Sequence, residues 1–356
     1  MAALLTTWAP GRVNLIGEHT DYSGGLVLPA AIQLGITVEV AAVADEISLA
    51  STRDGVAEPF AADGSGAPAT GWARYGQAVA AELAALGRAP VGLVAAVDSD
   101  LPTGAGLSSS AALEVGIALA LCAVAAFEPA PLELALACQR AELRAVGVPC
   151  GILDQAACVL GQAGAAILLD CATLDYRLVA VPEGAALVIV DSGVERSLER
   201  TAYAQRRGEL EHALALVGAE RSTQVGLPDL EGLDPVSQRR LRHVVTENER
   251  VELFAAAFEA GDLEGAGRLL GASHASLRDD YEVSIAELDL LVELAGGAGG
   301  FGARLLGAGF GGAVLVLTDV EDADRLGGEI VEAYRSRTGL EGRALTVFAS
   351  VGASVR

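Results

Sequence analysis

A segment near the start of the chain, APGRVNLIGEHTDYSGG at residues 9–25, combines charged residues and glycines at close spacing. Arg12, Glu18, His19 and Asp21 fall within ten positions of a chain that is 52% hydrophobic. Carboxylates accept hydrogen bonds from hydroxyl groups, and an imidazole can donate one, so this set suits a small ligand rich in hydroxyl groups. The alternative is a solvated turn, and the segment alone does not decide between the two.

A second segment, LPTGAGLSSSAALE at residues 101–114, suits an anion. A predicted strand leads into a loop of glycines and serines, and a predicted helix begins directly after it. The first turn of a helix presents unpaired N–H groups and the positive end of its dipole, and glycines let these amides approach a phosphate closely. The serine hydroxyls could bind phosphate oxygens or one side of a magnesium shell. The alternative is N-capping of the helix, which needs only one of the three serines.

A third segment, VGVPCGILDQAACVLG at residues 146–161, places Asp154 among apolar side chains. Burying a carboxylate costs free energy unless it is paired or serves a function. Desolvation would raise its pKa and a neighbouring arginine would lower it, a balance that suits a catalytic carboxylate. The alternative is that Asp154 caps a helix that begins at Gln155. Glu142, twelve residues earlier on the preceding predicted helix, alone looks like an ordinary surface glutamate.

A fourth segment, GARLLGAGFGGAVLVL at residues 302–317, contains GxGxxG at Gly307, Gly309 and Gly312. A dinucleotide-binding fingerprint needs a strand before the motif and a helix after it, whereas here a strand follows. Nine glycines between residues 296 and 312 indicate backbone packed closely against a ligand or another segment. A flexible connecting loop is the alternative.

Composition excludes several classes of protein. The net charge is −23, and a basic surface for nucleic acid or an anionic membrane is therefore not expected. All 24 basic residues are arginine, which excludes a Walker-A loop, a protein kinase and a pyridoxal-phosphate enzyme because each needs a lysine. No serine is flanked as GxSxG and no HExxH occurs, so a hydrolase elbow and that zinc motif are absent from the sequence.

The lengths of the apolar runs and the spacing of the cysteines indicate in which cellular compartment the protein is expected. The longest apolar run, residues 115–127, is shorter than the ~20 residues of a spanning helix and is interpreted as a buried core helix. No signal peptide is recognised at the start of the chain, and a cytoplasmic protein is expected. The five cysteines have no CxxC spacing and are interpreted as buried free thiols.

Periodicity predicts an α+β fold of two domains, because strands and helices alternate without a steady βαβ rhythm. The domain boundary is expected between residues 172 and 185, giving domains at 1–178 and 179–356. Residues 53–72 are predicted to form a loop. Strands are predicted at 36–43, 91–99, 165–170, 186–191, 313–317 and 344–351. Helices are predicted at 76–86, 111–127, 132–145, 201–217, 237–259 and 283–295.

Taken together, the motifs resemble the GHMP small-molecule kinases. GRVNLIGEHTDY at residues 11–22 is similar to the signature of the galactokinase family within that group. PTGAGLSSSAALE resembles the second motif of the superfamily and LGAGFGGAVL the third. The three occur in the family's order and span nearly the whole chain. Two departures are small: Ser23 stands where asparagine is common, and Leu153 where methionine is common.

The resemblance implies ATP-dependent phosphorylation of α-D-galactose at its C1 hydroxyl, with ATP and Mg²⁺ as cofactors. It implies Asp154 as catalytic base and Arg12 as the residue that stabilises the transition state. The implied sugar-binding residues are Glu18, His19, Thr20, Asp21, Gly151 and Tyr203. The implied nucleotide-phosphate loop is Gly104, Ala105, Gly106, Leu107, Ser108, Ser109 and Ser110. The implied magnesium ligands are Ser110 and Glu142.

The same resemblance implies a mixed-sheet N-terminal domain, a ferredoxin-like C-terminal domain and an active site between them. A monomer is expected, with galactose and ATP as its partners and no nucleic-acid or membrane partner. The alternatives are an N-acetylgalactosamine or arabinose kinase, or a catalytically silent sensor that binds galactose and ATP. Such sensors lack a serine and an alanine of the phosphate loop, whereas GLSSSAA is complete here.

Overall fold

The computed structural model describes residues 4–102, 106–147, 149–194 and 199–356, with the backbone alone for 199 and 200. The β-strands within these ranges are β1 (Leu5–Asn14), β2 (Leu26–Val27), β3 (Pro29–Ala44), β4 (Glu46–Ser51), β5 (Gly55–Val56), β6 (Phe60–Ala61), β7 (Gly92–Ser99), β8 (Ala165–Asp170), β9 (Tyr176–Ala180), β10 (Ala185–Asp191), β11 (Gly302–Leu306), β12 (Ala313–Asp319), β13 (Arg343–Val347) and β14 (Ser354–Val355).

The α-helices within the same ranges are α1 (Ala73–Ala85), α2 (Ser109–Val124), α3 (Pro131–Val146), α4 (Leu153–Leu160), α5 (Glu199–Leu216), α6 (Pro235–Glu259), α7 (Leu263–Asp279), α8 (Ala286–Gly297) and α9 (Ala323–Thr338). Short 3-10 turns lie at Asp21–Ser23, Ser222–Gln224 and Leu227–Leu230. Helix ends follow ordinary capping rules. For example, α3 begins with proline, and Gly147 at its end adopts φ 73°.

The largest sheet has the strand order β14-β1-β3-β7-β4-β5, with β6 paired to β4. Its pairs are antiparallel except for β4 with β7. Val38 and Val40 of β3 are buried while Glu39 between them is exposed, the alternation of a sheet with one covered face. Helix α2 packs on β1 and β3 and is buried almost all round, because it consists mainly of alanine, leucine and other apolar residues.

The second sheet has the order β11-β12-β10-β13 and is antiparallel throughout. Between β10 and β11 the chain forms α5 to α8, and α9 connects β12 to β13. This is the βαββαβ connection of a ferredoxin-like unit with additional helices. The predicted α+β class and the ferredoxin-like C-terminal arrangement are therefore confirmed.

A third, small sheet has the order β2-β8-β9. A cut between residues 178 and 179 falls inside β9, and it assigns β14 to the second domain although β14 pairs with β1. The division into 1–178 and 179–356 stays a prediction.

Most predicted elements are present with shifts of a few residues at their ends. Three differences are larger. The strand predicted to begin at residue 36 begins at Pro29 as β3. Residues 53–72, predicted as a loop, contain the short strands β5 and β6, because two-residue strands have no periodicity that a sequence pattern could reveal. The last predicted strand ends at Val347 and not at residue 351. Among the described residues no helix is long and apolar enough to cross a membrane.

Candidate active site

A cavity of about 710 Å³ collects residues from segments that are far apart in sequence. The start of the chain contributes Arg12, Glu18, His19, Asp21 and Tyr22. Helices α1, α2 and α3 and the loop before α2 contribute Tyr75, Pro102, Gly106 to Ser110, Glu142 and Val146. The turn before α4 and the first residues of α4 contribute Pro149, Cys150, Gly151, Leu153 and Asp154. The remaining wall is Asp191, Gly193, Val194, Tyr203, Gly307 and Ala308. The first three chemical segments of the sequence, and the glycine-rich fourth, thus share one cavity.

Asp154 lies in the first turn of α4, and its carboxylate binds Arg12. The Arg12 Nε and Nη2 atoms are each 2.6 Å from Asp154 Oδ1. Ser108 Oγ donates to Asp154 Oδ2 at 2.5 Å. The N-cap residue of α4 is Ile152, so the alternative that Asp154 caps this helix is wrong. Two charged or polar partners from distant segments hold the carboxylate in the cavity, where 29% of its side chain remains exposed.

Arg12 is itself fixed by the backbone around it. The register of β1 against β3 shifts between Pro10 and Arg12, an irregularity of the kind that redirects a side chain. A Cβ atom at Gly11 would overlap Leu101 and the Leu107 carbonyl, so glycine permits this close approach. Arg12 donates its backbone N–H to the Leu107 carbonyl at 3.1 Å and Nη1 to the Gly106 carbonyl at 2.7 Å.

The serines of the loop before α2 point to different partners. Ser108 adopts φ 56° and precedes the helix, but its side chain makes no capping hydrogen bond and binds Asp154 instead. Ser110 Oγ donates to Glu142 Oε1 at 2.8 Å. Ser108 therefore does not cap the helix with its side chain, which was the simplest alternative to a role in ligand binding. Gly104 and Ala105 of the predicted phosphate loop lie outside the described residues.

Glu142 belongs to a buried group of polar side chains and is not an ordinary surface residue. Gln155 Nε2 donates to Glu142 Oε2 at 2.7 Å and to Glu114 Oε2 at 3.2 Å. Burial, and next the Glu142 carboxylate, raise the pKa of Glu114 to about 10. Burial, and next Asp154, also raise the pKa of Glu142. Glu114 is therefore protonated at neutral pH, which removes one of two negative charges that would repel each other.

At the opposite end of the cavity, Glu18 is paired with the fully buried Arg304 of β11. Arg304 Nη1 is 3.0 Å from Glu18 Oε1, which also accepts the backbone N–H of Gly307 at 2.9 Å. The same guanidinium donates to the carbonyls of Leu15, Leu305 and Asn14. One arginine thus ties the first motif to the glycine-rich segment over nearly 290 residues of sequence.

Asp21 lies beside Glu18 but has no arginine among its described hydrogen-bond partners. Burial, and next the carboxylates of Asp154 and Glu18, raise the pKa of Asp21 to about 7. A Cβ atom at Gly151 would overlap the Asp21 carboxylate, so this glycine lets the turn before α4 pass directly over it. Asp21 and Gly151 therefore form one continuous part of the cavity wall.

The remaining predicted sugar residues differ in their positions. Tyr203 lines the cavity with its ring centroid 5.9 Å from His19. His19 also lines it, and both its ring nitrogens contact protein atoms, Tyr22 Oη at 2.8 Å and the Ala308 carbonyl at 3.2 Å. Thr20 does not line the cavity. It is fully buried, and its hydroxyl contacts the Gly17 and Leu26 carbonyls, which makes it a residue of the turn.

Sequence reasoning missed several contributors to this site. In the sequence, Arg304 is a single charged residue in an apolar, glycine-rich segment. Tyr281, Gln155 and Glu114 match no position to which a motif assigns a chemical role. An isolated arginine in an otherwise apolar segment is a signal that could have been used, because such a charge needs partners when it is buried.

Three family models match the chain. The galactokinase galactose-binding signature matches residues 3–42, the GHMP kinases N terminal domain residues 74–162, and the GHMP kinases C terminal domain residues 254–336.

Relatives match over nearly the full length. A galactokinase of Roseiflexus sp. is 41% identical over 96% of this chain and 89% of its own. A galactokinase of Pyrococcus furiosus is 38% identical over 99% of both chains. The crystal structure of Lactococcus lactis galactokinase complexed with galactose superposes with a TM-score of 0.92 at 33% identity, covering 98% of this chain and 94% of that one. The chain belongs to the galactokinase family of the GHMP kinases.

Proposed function

We propose that the chain transfers the γ-phosphoryl group of ATP to the C1 hydroxyl of α-D-galactose, giving galactose 1-phosphate and ADP. The observation that carries this proposal is the Asp154 carboxylate, bound to Arg12 and Ser108 in a cavity that also presents Glu18 and Asp21. Family membership supports the reaction class, and the galactose named for the Lactococcus lactis structure supports the sugar.

Asp154 is the proposed general base. It accepts the proton of the C1 hydroxyl as the sugar oxygen forms its bond to the γ-phosphorus and the bond to the β-phosphate oxygen breaks. Arg12 has two functions here. Its Nε and Nη2 atoms hold the Asp154 carboxylate in place, and its guanidinium stabilises negative charge on the phosphoryl group in transfer. In a chain without lysine, arginine must perform this task.

Ser110 and Glu142 would hold Mg²⁺. Ser110 and Glu142 supply a hydroxyl and a carboxylate oxygen 2.8 Å apart at the cavity surface, and Mg²⁺ prefers oxygen ligands of this kind. When bound with ATP, the ion neutralises charge on the β- and γ-phosphates. Gln155 would orient the Glu142 carboxylate through its second oxygen.

The hexose end provides acceptors in fixed positions. Glu18 is held by Arg304, Asp21 lies against Gly151, and both carboxylates can accept hydrogen bonds from sugar hydroxyls. A site of this kind rejects an epimer because the wrong sugar leaves buried polar groups without partners. We therefore expect galactose to be phosphorylated and glucose to be rejected.

The test is a phosphorus NMR time course with Mg²⁺, ATP and galactose, run for the wild type and for Asp154→Asn. Asp154→Asn should lower kcat by about 10²- to 10⁴-fold, the range for loss of a general base, with ATP binding retained. Asp322→Asn is the matched control, since Asp322 is also paired with an arginine but lies half exposed on the surface. Near-normal turnover in Asp154→Asn would disprove the assignment of the base. Turnover only with arabinose, N-acetylgalactosamine or mevalonate would disprove the assignment of galactose as the substrate.

A further inference from the structure

A line of hydrogen bonds runs behind the hexose end of the cavity and reaches His19. Tyr281 is fully buried just beyond α7, and its hydroxyl lies 2.7 Å from the Tyr22 hydroxyl. Tyr22 Oη lies 2.8 Å from His19 Nδ1, and His19 Nε2 lies 3.2 Å from the Ala308 carbonyl. The line therefore connects the first motif to two segments of the C-terminal half.

The Ala308 carbonyl at the end of this line determines which group donates in each hydrogen bond. A carbonyl oxygen can only accept, so His19 Nε2 must carry the hydrogen. Burial lowers the pKa of His19 to about 3, so the ring is neutral and Nδ1 must accept. Tyr22 then donates its hydroxyl hydrogen to Nδ1, and its oxygen is left to accept from Tyr281.

Ring packing keeps these groups in place. The Tyr281 ring centroid is 4.6 Å from that of His19 and 4.7 Å from that of His243. His243 in turn contacts the Glu18 carbonyl through Nε2 at 3.0 Å. His19 has φ 64°, an uncommon backbone conformation that must be stabilised by its surroundings.

We infer that Tyr281 and Tyr22 are positioning residues of the hexose site, which together hold His19 as the Nε2–H tautomer with its ring plane fixed. This inference rests on the proposed function, because it takes His19 as part of the sugar site. In this arrangement His19 offers a sugar one donor and no acceptor. A sugar oxygen that binds Nε2 must displace the Ala308 carbonyl, the longest contact of the line.

The inference distinguishes a linked pair from two independent tyrosines. Tyr281→Phe and Tyr22→Phe each remove one hydroxyl and keep the ring. Each should raise KM for galactose by about 2- to 10-fold, the range for one hydrogen bond, with a smaller change in kcat. Because Tyr281 acts through Tyr22, the double variant should have the KM of Tyr22→Phe alone. Multiplying effects would overturn the inference, since they would show that the two hydroxyls act separately.

A second readout does not depend on turnover. ¹⁵N NMR of the wild type should show His19 as the neutral Nε2–H tautomer, assigned by the signal lost in His19→Gln. Tyr22→Phe should shift the Nδ1 resonance, because this nitrogen loses the hydroxyl that donates to it, while the Ala308 carbonyl still accepts from Nε2. Thr7→Val is the control, because it removes a buried hydroxyl that donates to the Gly116 carbonyl outside the cavity, and it should change neither the tautomer nor KM.

The two readouts distinguish failure of this inference from failure of the proposed function. A wild-type Nδ1–H tautomer would overturn the inference whatever the enzyme phosphorylates. Absence of galactose turnover in the wild type, together with the expected tautomer and its expected response to Tyr22→Phe, would overturn the proposed function and leave the hydrogen-bond line intact.

Discussion

The hexose end and the phosphate end of the cavity both contain carboxylates, but different groups stabilise them. At the hexose end, Glu18 is paired with Arg304, a cation supplied by the chain itself. At the phosphate end, Glu142 receives hydrogen bonds from the neutral side chains of Ser110 and Gln155. No arginine is among the described hydrogen-bond partners of Glu142 or Glu114.

This difference corresponds to what each end is proposed to bind. A sugar is neutral and cannot compensate a buried negative charge, and Glu18 is accordingly paired with an arginine of the chain itself. An Mg²⁺ ion supplies positive charge when it binds, so Glu142 needs only to be oriented. Burial, and next the Asp154 carboxylate for Glu142 and the Glu142 carboxylate for Glu114, raise the pKa of these two groups.

The strongest test of the comparison is Arg304→Met. It removes the cation but retains much of the side-chain volume, leaving Glu18 and three backbone carbonyls without their donor. We expect the free energy of unfolding in urea to fall by about 3–5 kcal/mol, the range for breaking a buried ion pair.

The matched control is Arg325→Met, which removes an arginine paired with Asp322 on the half-exposed surface. Its cost should be much smaller than that of Arg304→Met, because solvent screens an exposed ion pair. Equal losses in the two variants would mean that the buried pair at the hexose end contributes no more than a surface pair, and the comparison would fail.

The phosphate end is tested by one substitution made at two neighbouring glutamates. Glu142→Gln removes a proposed metal ligand, so the Mg²⁺ concentration at half-maximal rate should rise by more than about 10-fold. Glu114→Gln should leave it nearly unchanged, because with a pKa raised to about 10 Glu114 is already neutral at pH 7 and glutamine has its shape. A large effect of Glu114→Gln would show that Glu114 acts as a charged group and would contradict this description.

The sequence predicted the components of the cavity better than the contacts that hold them. Arg12, Glu18 and Asp154 were identified because each lies in a motif whose glycines and neighbours form a local pattern. Arg304 and Tyr281 were not, because each acts on a residue more than 250 positions away, and a single arginine or tyrosine has no local pattern that shows its partner.

The same limit explains Thr20 and Glu142. Thr20 shares a motif with Asp21, but neighbouring positions of a tight turn point in different directions, and its hydroxyl binds backbone carbonyls. Glu142 gave no signal by itself, since the contacts that distinguish it come from α2 and α4. Motifs thus predicted which segments meet at the cavity, and packing decided which of their residues face it.

A third prediction concerns pH and sharpens the contrast between Glu18 and Asp21. The pKa of Asp21 is about 7 in the folded protein against an ordinary 3.8. Between these values the folded state binds a proton that the unfolded state has lost, so stability falls as pH rises from about 4 to about 7. Asp21→Asn stays neutral and lacks this contribution.

Urea unfolding of both proteins at pH 5, 6, 7 and 8 measures the contribution. Asp21→Asn should gain stability relative to the wild type as pH rises to 7, and the difference should then level off. Any slope that both proteins retain above pH 7 is expected to belong to Glu114, and Glu114→Gln should reduce it. Parallel curves between pH 5 and 7 would mean that Asp21 is ionised over the whole range.

The smallest expected effect is that of Leu153→Met, next to the proposed base Asp154. Leu153 is buried in a cluster with Val27, Ile152 and Leu169, which supports α4 from behind. Methionine has a similar volume and is common at this position in the family motif, so the cost in unfolding free energy should stay below about 1.5 kcal/mol.

Leu153→Ala is the comparison variant, because it leaves a cavity in the same cluster and should cost about 2–5 kcal/mol. Its kcat for galactose should also fall, since α4 would lose the packing that holds Asp154 against Arg12. If Leu153→Met lowered kcat as much as Leu153→Ala does, the shape of this side chain and not its volume would position Asp154. The contacts with Arg12 and Ser108 would then not be enough to position Asp154, and a leucine side chain at position 153 would also be needed.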